Sequence, residues 1–380
     1  MSAPTTDQII EALRPVEDPE LHRSIVDLGM VRNIEVASEA VSLTVVLTVP
    51  GCPLRNEINN RVSNAITALP GISSVHVNFD VMNDAERAKV RQLVHGDAAA
   101  TAGSQPTHGH AEGRSIPFAQ RDSKTRPLLI SSGKGGVGKS SVTTNLAVAL
   151  AAAGHSVGVV DADIYGFSIP RMLGADREPV VIDQMLLPPE AYGVRCISIG
   201  YFVPDGEAVI WRGPMLHKAL EQFLTDVFWD EPDYLLIDMP PGTGDIALSL
   251  SQYLPKAEVF VVTTPQDAAQ KVARLSAAMA KKVNLPVRGV IENMSWFTGD
   301  DGRRYELFGS GGGQSLADEL EVPLLGQIPL VPQLREGGDD GHPIAAVAPN
   351  SEAGQIFHQI ADKIEEMKPK KVFAKGLKLL

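Results

Sequence analysis

Within the 380 residues lies the run Gly133-Lys134-Gly135-Gly136-Val137-Gly138-Lys139-Ser140, whose residue types suit phosphate binding. It matches G-x-x-x-x-G-K-[ST], in which glycines let backbone N–H groups converge on phosphate oxygens and the following helix adds its partial positive charge. In that arrangement Lys139 reaches the β- and γ-phosphates of ATP, the Ser140 hydroxyl ligates Mg2+, and Ser141 continues the nucleotide-binding run into the helix. Two carboxylate-bearing segments follow apolar stretches. Val157–Val160 leads into Asp161-Ala162-Asp163, where a carboxylate, taken as Asp163, can orient water or hold metal-bound water beside a γ-phosphate. Leu235–Ile237 leads into Asp238 and Pro-Pro-Gly-Thr-Gly-Asp, which reads as a Walker B strand. Asp238 is then a Mg2+ carboxylate, directly or through water, and Gly242–Asp245 a loop that senses the γ-phosphate.

Groups so far apart in sequence meet only if a sheet aligns the ends of their strands, and the chain predicts such a sheet. Beyond residue 118, short apolar runs alternate with helical stretches: Leu128–Ser132, Val157–Asp161, Arg195–Gly200, Leu235–Asp238, Val259–Thr264, Val287–Glu292 and Leu324–Ile328. Several are rich in Val, Ile and Leu without alternation, as in parallel strands buried on both faces, so residues 118–368 read as an α/β domain. The helix Ser141–Ala153 follows the glycine-rich loop at once. Residues 1–95 read as a small α+β domain with β-branched stretches Ser24–Val36, Val41–Val49 and Ile72–Val81, and a helix over 53–69 opened by Pro53 and stopped by Pro70-Gly71. Residues 96–117, rich in Ala, Gly and Ser without an apolar period, predict a flexible linker in which His108 and His110 are solvated. Residues 369–380 form a basic tail.

Composition narrows the partners. With 34 Lys and Arg against 46 Asp and Glu, the net charge of −12 disfavours nucleic acid and anionic lipid as general ligands. The tail, interrupted by Pro369 and Gly376, is too short for a membrane-binding helix. No targeting pattern opens the chain and no run approaches the ~20 apolar residues of a membrane span, so a cytoplasmic protein is expected. The two cysteines, Cys52 and Cys196, exclude a disulfide framework and any four-cysteine site within one chain. Cys196 lies in the apolar run VRCISIG and reads as core.

The stretches GKGGVGKSSVTTNLA (133–147), DADIYGFSIPRMLG (161–174), WRGPML (211–216), LIDMPPGTGD (236–245), TTPQDAA (263–269), IENMSWF (291–297) and FGSGGG (308–313) together resemble the Mrp/ApbC/Nbp-type P-loop ATPases. VEDPEL (16–21), DLGMV (27–31) and TVPGCPLRNEI (48–58) resemble the small SufT/PaaD-like domain fused to many of them. The resemblance implies a MinD/ParA-like fold and a homodimeric ATPase that delivers iron–sulfur clusters to apoproteins. It makes Lys134 a signature lysine that reaches the partner subunit's nucleotide, a catalytic residue beside Lys139 and Asp163, and Asn293 an adenine-reading residue.

Two departures stand out. Phe167 occupies a position where the family has proline. Where the family usually places C-P-x-C, between IENMSWF and FGSGGG, this chain has TGDDGRRYEL, and carboxylates are poor replacements for soft thiolates on iron–sulfur iron. Cys52 is the remaining ligand candidate, because a helix N-terminus favours thiolate. Two copies, with added thiols or nearby Asp27 and Glu57, could hold a labile cluster. A small buried residue at a helix cap is the other reading of Cys52. Two functions therefore remain open: a cluster carrier, and an ATP-gated dimeric interaction switch with no cluster.

Overall fold

In the computed structural model, which describes residues 4–37, 39–49, 54–95, 116–120, 122–164, 166–182, 185–203, 213–242, 245–367 and 369, the chain forms two units. One comprises Met1–Arg114 with Val180–Leu187, the other Ser115–Pro179 with Pro188–Leu380. Cys52, Pro53, His108 and His110 lie outside the described residues, as do 96–115 of the expected linker and all of the tail except Pro369.

The first unit opens with α1 (Thr6–Leu13), where Thr5 and Gln8 form a reciprocal capping box. It continues through β1 (Val31–Ala37), β2 (Ala40–Leu47), α2 (Arg55–Thr67), β3 (Ser74–Val81) and α3 (Asp84–His95). β2 is central, antiparallel to β1 and parallel to β3. Val41, Leu43, Val45 and Leu47 of β2 and Ile58, Val62 and Ile66 of α2 are buried, so strand period and helix period both deliver apolar side chains to the core. The stretch expected to be extended from Ser24 becomes strand only at Val31. Leu28 N–H donates to the Ser24 carbonyl and Gly29 takes φ +68°, which turns the chain before pairing begins. The helix expected over 53–69 spans Arg55–Thr67 with Leu54 at its N-cap.

The second unit starts at a 3-10 turn, Pro117–Ala119, so Pro117 is already structured at the end of the expected linker. Its elements are β4 (Arg126–Ser132), α4 (Lys139–Ala152), β5 (Val157–Asp161), α5 (Ile169–Leu173), β8 (Glu190–Ala191), β9 (Val194–Ser198), α6 (Gly213–Thr225), β10 (Tyr234–Asp238) and α7 (Asp245–Tyr253). Then come β11 (Glu258–Thr263), α8 (Asp267–Lys282), β12 (Val287–Glu292), the hairpin β13 (Phe297–Thr298) and β14 (Arg304–Tyr305), α9 (Gly312–Leu320), β15 (Leu324–Gln327), α10 (Pro332–Asp340), α11 (Ile344–Val347) and α12 (Glu352–Glu366). The hairpin β6 (Val180–Ile182) and β7 (Met185–Leu187), between α5 and β8 in the chain, groups with the first unit.

The large sheet has the order β15-β12-β11-β4-β10-β5-β9-β8, parallel except for β8. Every position of β4, β5, β10 and β11 is buried, as their unalternating apolar sequences require. α4 packs against the sheet and against α11 and α12, which explains its burial from Val142 through Leu150. β9 ends at Ser198 instead of Gly200: the Ser198 hydroxyl accepts the Gly200 N–H and turns the chain into a 3-10 turn, Ile199–Phe202.

At the end of the sheet where the central strands β4 and β11 begin, Arg126 Nε donates to Glu258 Oε2 at 2.7 Å and Arg126 Nη1 to the Ile364 carbonyl at 2.5 Å. Arg288 Nε lies 2.9 Å from Glu258 Oε1. The Arg126 guanidinium thus joins the sheet to α12, and its counter-charge is a carboxylate only 1% exposed. Glu258→Ala leaves the Arg126 guanidinium buried without its counter-charge and is expected to cost about 3–5 kcal/mol, read from the denaturant midpoint. A shift under about 1 kcal/mol, the range of surface pairs, would show that the pair is not structural.

Candidate nucleotide site

The glycine-rich loop joins β4 to α4, and two of its glycines have steric reasons to be there. A Cβ on Gly133 would lie 2.3 Å from the backbone of Val272 and Ala273 in α8. Gly138 holds φ +81°, and a Cβ there would lie 2.2 Å from Asn293 Nδ2. Gly138 is also the N-cap of α4 and offers no side-chain acceptor, so the first-turn N–H groups of α4 face the loop as an anion-binding end. Gly135 and Gly136 are exposed, Val137 is buried and Ser141 is half-buried, with its carbonyl accepting from Asn145.

Asp238, at the end of β10 and fully buried, collects three donors from the start of α4. Lys139 Nζ lies 2.5 Å from Oδ2, Ser140 Oγ donates to the same oxygen at 2.6 Å, and Thr143 Oγ1 donates to Oδ1 at 2.6 Å. Lys139 Nζ is also 3.7 Å from Asp163 Oδ2. The parallel register sets Asp238 beside Asp161 on β5. Burial, and then the neighbouring Asp238 charge, push the Asp161 carboxyl up to about 7. Asp161 turns into its own loop, accepting N–H bonds from Asp163, Ser168 and Ile169 and the Ser198 hydroxyl, while Asp163 stands beside Lys139.

Asn293 follows β12 and is 2% exposed. Its Nδ2 donates to the Val137 carbonyl at 2.9 Å, whereas Oδ1 is buried with no hydrogen-bond partner among the described residues. Lys134 Nζ donates to Gln266 Oε1 at 3.1 Å. Gly242 N–H donates to the Ser132 carbonyl, bringing the expected phosphate-sensing loop to the base of the glycine-rich loop. Thr243 and Gly244 are outside the described residues, as are Trp211 and Arg212. Lys139, Ser140, Asp163, Asp238 and Asn293 are therefore gathered around 133–141. Thr143 and Gln266 were not anticipated, although Thr143 lies four residues after Lys139 and hence on the same helix face.

Where the family usually places C-P-x-C, the β13–β14 hairpin is held by one bond of its own and one to the first residue of α12. Tyr305 donates to Asp301 Oδ2 at 2.8 Å, Arg304 Nη2 to Glu352 Oε1 at 2.7 Å, and the Arg304 guanidinium lies 4.2 Å from the Trp296 ring centroid. Cys196 is fully buried in β9, and burial pushes its thiol well up. Asp27 and Glu57 are engaged by Arg14 and Arg61 respectively. Among the described residues, no helix is long and apolar enough to cross a membrane.

A strand, glycine-rich loop and helix with a buried lysine, a serine and a strand-end aspartate define a P-loop nucleotide-binding protein. Residues 124–365 match the model of the NUBPL iron-transfer P-loop NTPases, and residues 6–79 match that of an iron-sulfur cluster assembly protein. The chain belongs to the NUBPL iron-transfer P-loop NTPase family. It is 49% identical over 358 residues to the iron-sulfur cluster carrier protein of Mycobacterium leprae, covering 92% of this chain and 90% of that one. To the protein of the same description from Synechocystis it is 42% identical over 368 residues, covering 95% and 97%. Among solved structures it resembles the nucleotide-binding protein in complex with ADP from Archaeoglobus fulgidus, with 34% identity, a TM-score of 0.52, and coverage of 60% of this chain and 93% of that one. The expected architecture, a P-loop NTPase unit with a mostly parallel sheet after a small N-terminal domain, is borne out.

Proposed function

We propose that this chain binds and hydrolyses ATP with Mg2+ as a homodimer and carries iron–sulfur clusters to apoproteins. The observation that carries the nucleotide reading is the convergence of Lys139 and Ser140 on buried Asp238 beneath a helix N-terminus that lacks a side-chain cap. The cargo is supported by the family and by the descriptions of the full-length relatives. Lys139 and the loop N–H groups hold the β- and γ-phosphates, and Ser140 and Asp238 hold Mg2+. When bound, the metal neutralises charge on the phosphate oxygens. Asp163, beside Lys139, orients the attacking water. Asn293, with Nδ2 committed to Val137, offers Oδ1 to the amino group of adenine, a donor that guanine lacks at that position. In the proposed organisation the ATPase module, 118–368, is tethered to the 1–95 module through 96–117.

Lys134 carries the dimer part of the reading, leaving Gln266 to reach the partner subunit's nucleotide. Lys134→Ala is expected to abolish ATP-linked dimerisation in sedimentation and most turnover, while nucleotide affinity is largely kept by Lys139 and the loop. Unchanged assembly and turnover would make it an ordinary loop lysine.

The closed β13–β14 hairpin favours a second reading, an ATP-gated interaction switch with no cluster. With Cys196 sealed in β9, thiolate ligation by this chain falls to Cys52. Anaerobic incubation of the full chain with ferrous iron and sulfide separates the two: bound iron supports the carrier, and ATP-linked dimerisation without bound iron supports the switch.

A further inference from the structure

Asp238 has two carboxylate oxygens, and the start of α4 treats them differently. Oδ2 faces Lys139 Nζ and Ser140 Oγ, the groups assigned above to phosphate and Mg2+, whereas Oδ1 is taken by Thr143 Oγ1 at 2.6 Å. Thr143 Oγ1 also lies 3.0 Å from the Lys139 carbonyl, but a hydroxyl has one proton to give. The shorter, charge-assisted bond to the carboxylate takes it. The helical repeat puts Thr143 one turn below Lys139 on the same face, and β-branching restricts its χ1 rotamers. Thr143 and Asp238 are both fully buried, so water offers no replacement donor for Oδ1.

We propose that Thr143 is a positioning residue for the Mg2+ half of the site: by fixing Oδ1 it sets the rotation of the Asp238 carboxylate and keeps Oδ2 turned toward Ser140. This rests on the nucleotide reading above and extends it to a residue with no direct contact with phosphate or metal. Valine has nearly the shape of threonine but cannot donate, so Thr143→Val releases the carboxylate while filling the same volume. Loss of the bond should weaken the Mg2+-dependent part of nucleotide binding and spare the part supplied by Lys139 and the loop N–H groups.

The test is calorimetric binding of ADP to the full chain, once with Mg2+ and once with EDTA, for wild type, Thr143→Val and Thr143→Ser. The expected result is about a tenfold loss of Mg-ADP affinity in Thr143→Val, which one hydrogen bond to a charged group supports. Metal-free ADP affinity should be unchanged, and Thr143→Ser, which restores the donor, should return Mg-ADP binding toward wild type. Equal Mg-ADP affinity in wild type and Thr143→Val overturns the proposal, and so does an equal loss with and without Mg2+, which marks a packing defect. Failure of Thr143→Ser to recover overturns it as well. A wild-type chain that binds no ADP under either condition overturns the nucleotide reading itself, a result distinct from the others.

Discussion

Lys139→Ala is expected to lower ATP turnover by about 10²–10³-fold, equivalent to about 2.7–4 kcal/mol of transition-state stabilisation. Two effects contribute, and they can be separated. In the proposed site Nζ is the cation that meets charge developing on the transferred phosphoryl oxygens, and it is 6% exposed, so water does not screen it as it would a surface lysine. The substitution also takes the buried counter-cation from Asp238, leaving Ser140 and Thr143 as its two hydroxyl donors. That second effect falls on stability, and a thermal melt of the variant without nucleotide measures it. Lys139→Met keeps much of the side-chain volume and serves as the packing control. If both variants hydrolyse ATP at the wild-type rate, Lys139 is not the phosphate-binding lysine and the site assignment fails.

The chemistry was legible in the sequence where it is local. Glycine spacing, Lys139 and Ser140 lie within eight residues, and the strand ends carrying Asp161 and Asp238 follow apolar runs whose burial their composition announces. What stayed hidden depends on contacts across the chain. The Thr143–Asp238 bond joins residues 95 positions apart, and the Lys134–Gln266 bond joins residues 132 apart. No local spacing encodes either. The choice between Asp161 and Asp163 turns on the loop after β5, where the Ser168 and Ile169 N–H groups draw Asp161 inward.

The small N-terminal unit shows the same limit from the other side. Alternation from Ser24 suggested a strand, but a turn held by the Ser24 carbonyl and Gly29 intervenes, so local hydrogen bonding overrode the apolar pattern. Helix α1 carried a readable signal in the Thr5-x-x-Gln8 capping box. The β13–β14 hairpin was harder to foresee. Its Arg304–Glu352 and Tyr305–Asp301 bonds stabilise a two-residue strand pair too short for periodicity to reveal.

Cys52→Ser is expected to remove essentially all iron that the full chain takes up on anaerobic reconstitution, while Cys196→Ser keeps it. The contrast follows from the two thiols' settings. Cys196 is fully buried within β9, its thiol is pushed well up by burial and then by Asp161, and exposing it would require displacing the helices packed over the strand. It therefore stays a protonated core side chain at neutral pH and serves as the internal control. Cys52, three residues before α2 in the sequence, is the other thiol in the chain, and Asp27 and Glu57 do not readily replace it: they are bound to Arg14 and Arg61, and hard oxygen ligands suit iron–sulfur clusters poorly. One thiolate per chain holds a cluster weakly, so bound iron should be removed readily by chelator and should scale with dimer when small thiols are limiting. ATP turnover measured on the same samples should persist in Cys52→Ser, because the groups proposed to bind nucleotide all lie between β4 and Asn293. Iron retained in Cys52→Ser but lost in Cys196→Ser would reverse the ligand assignment. A wild-type chain that takes up no iron while dimerising on ATP would leave the nucleotide-gated switch as its function.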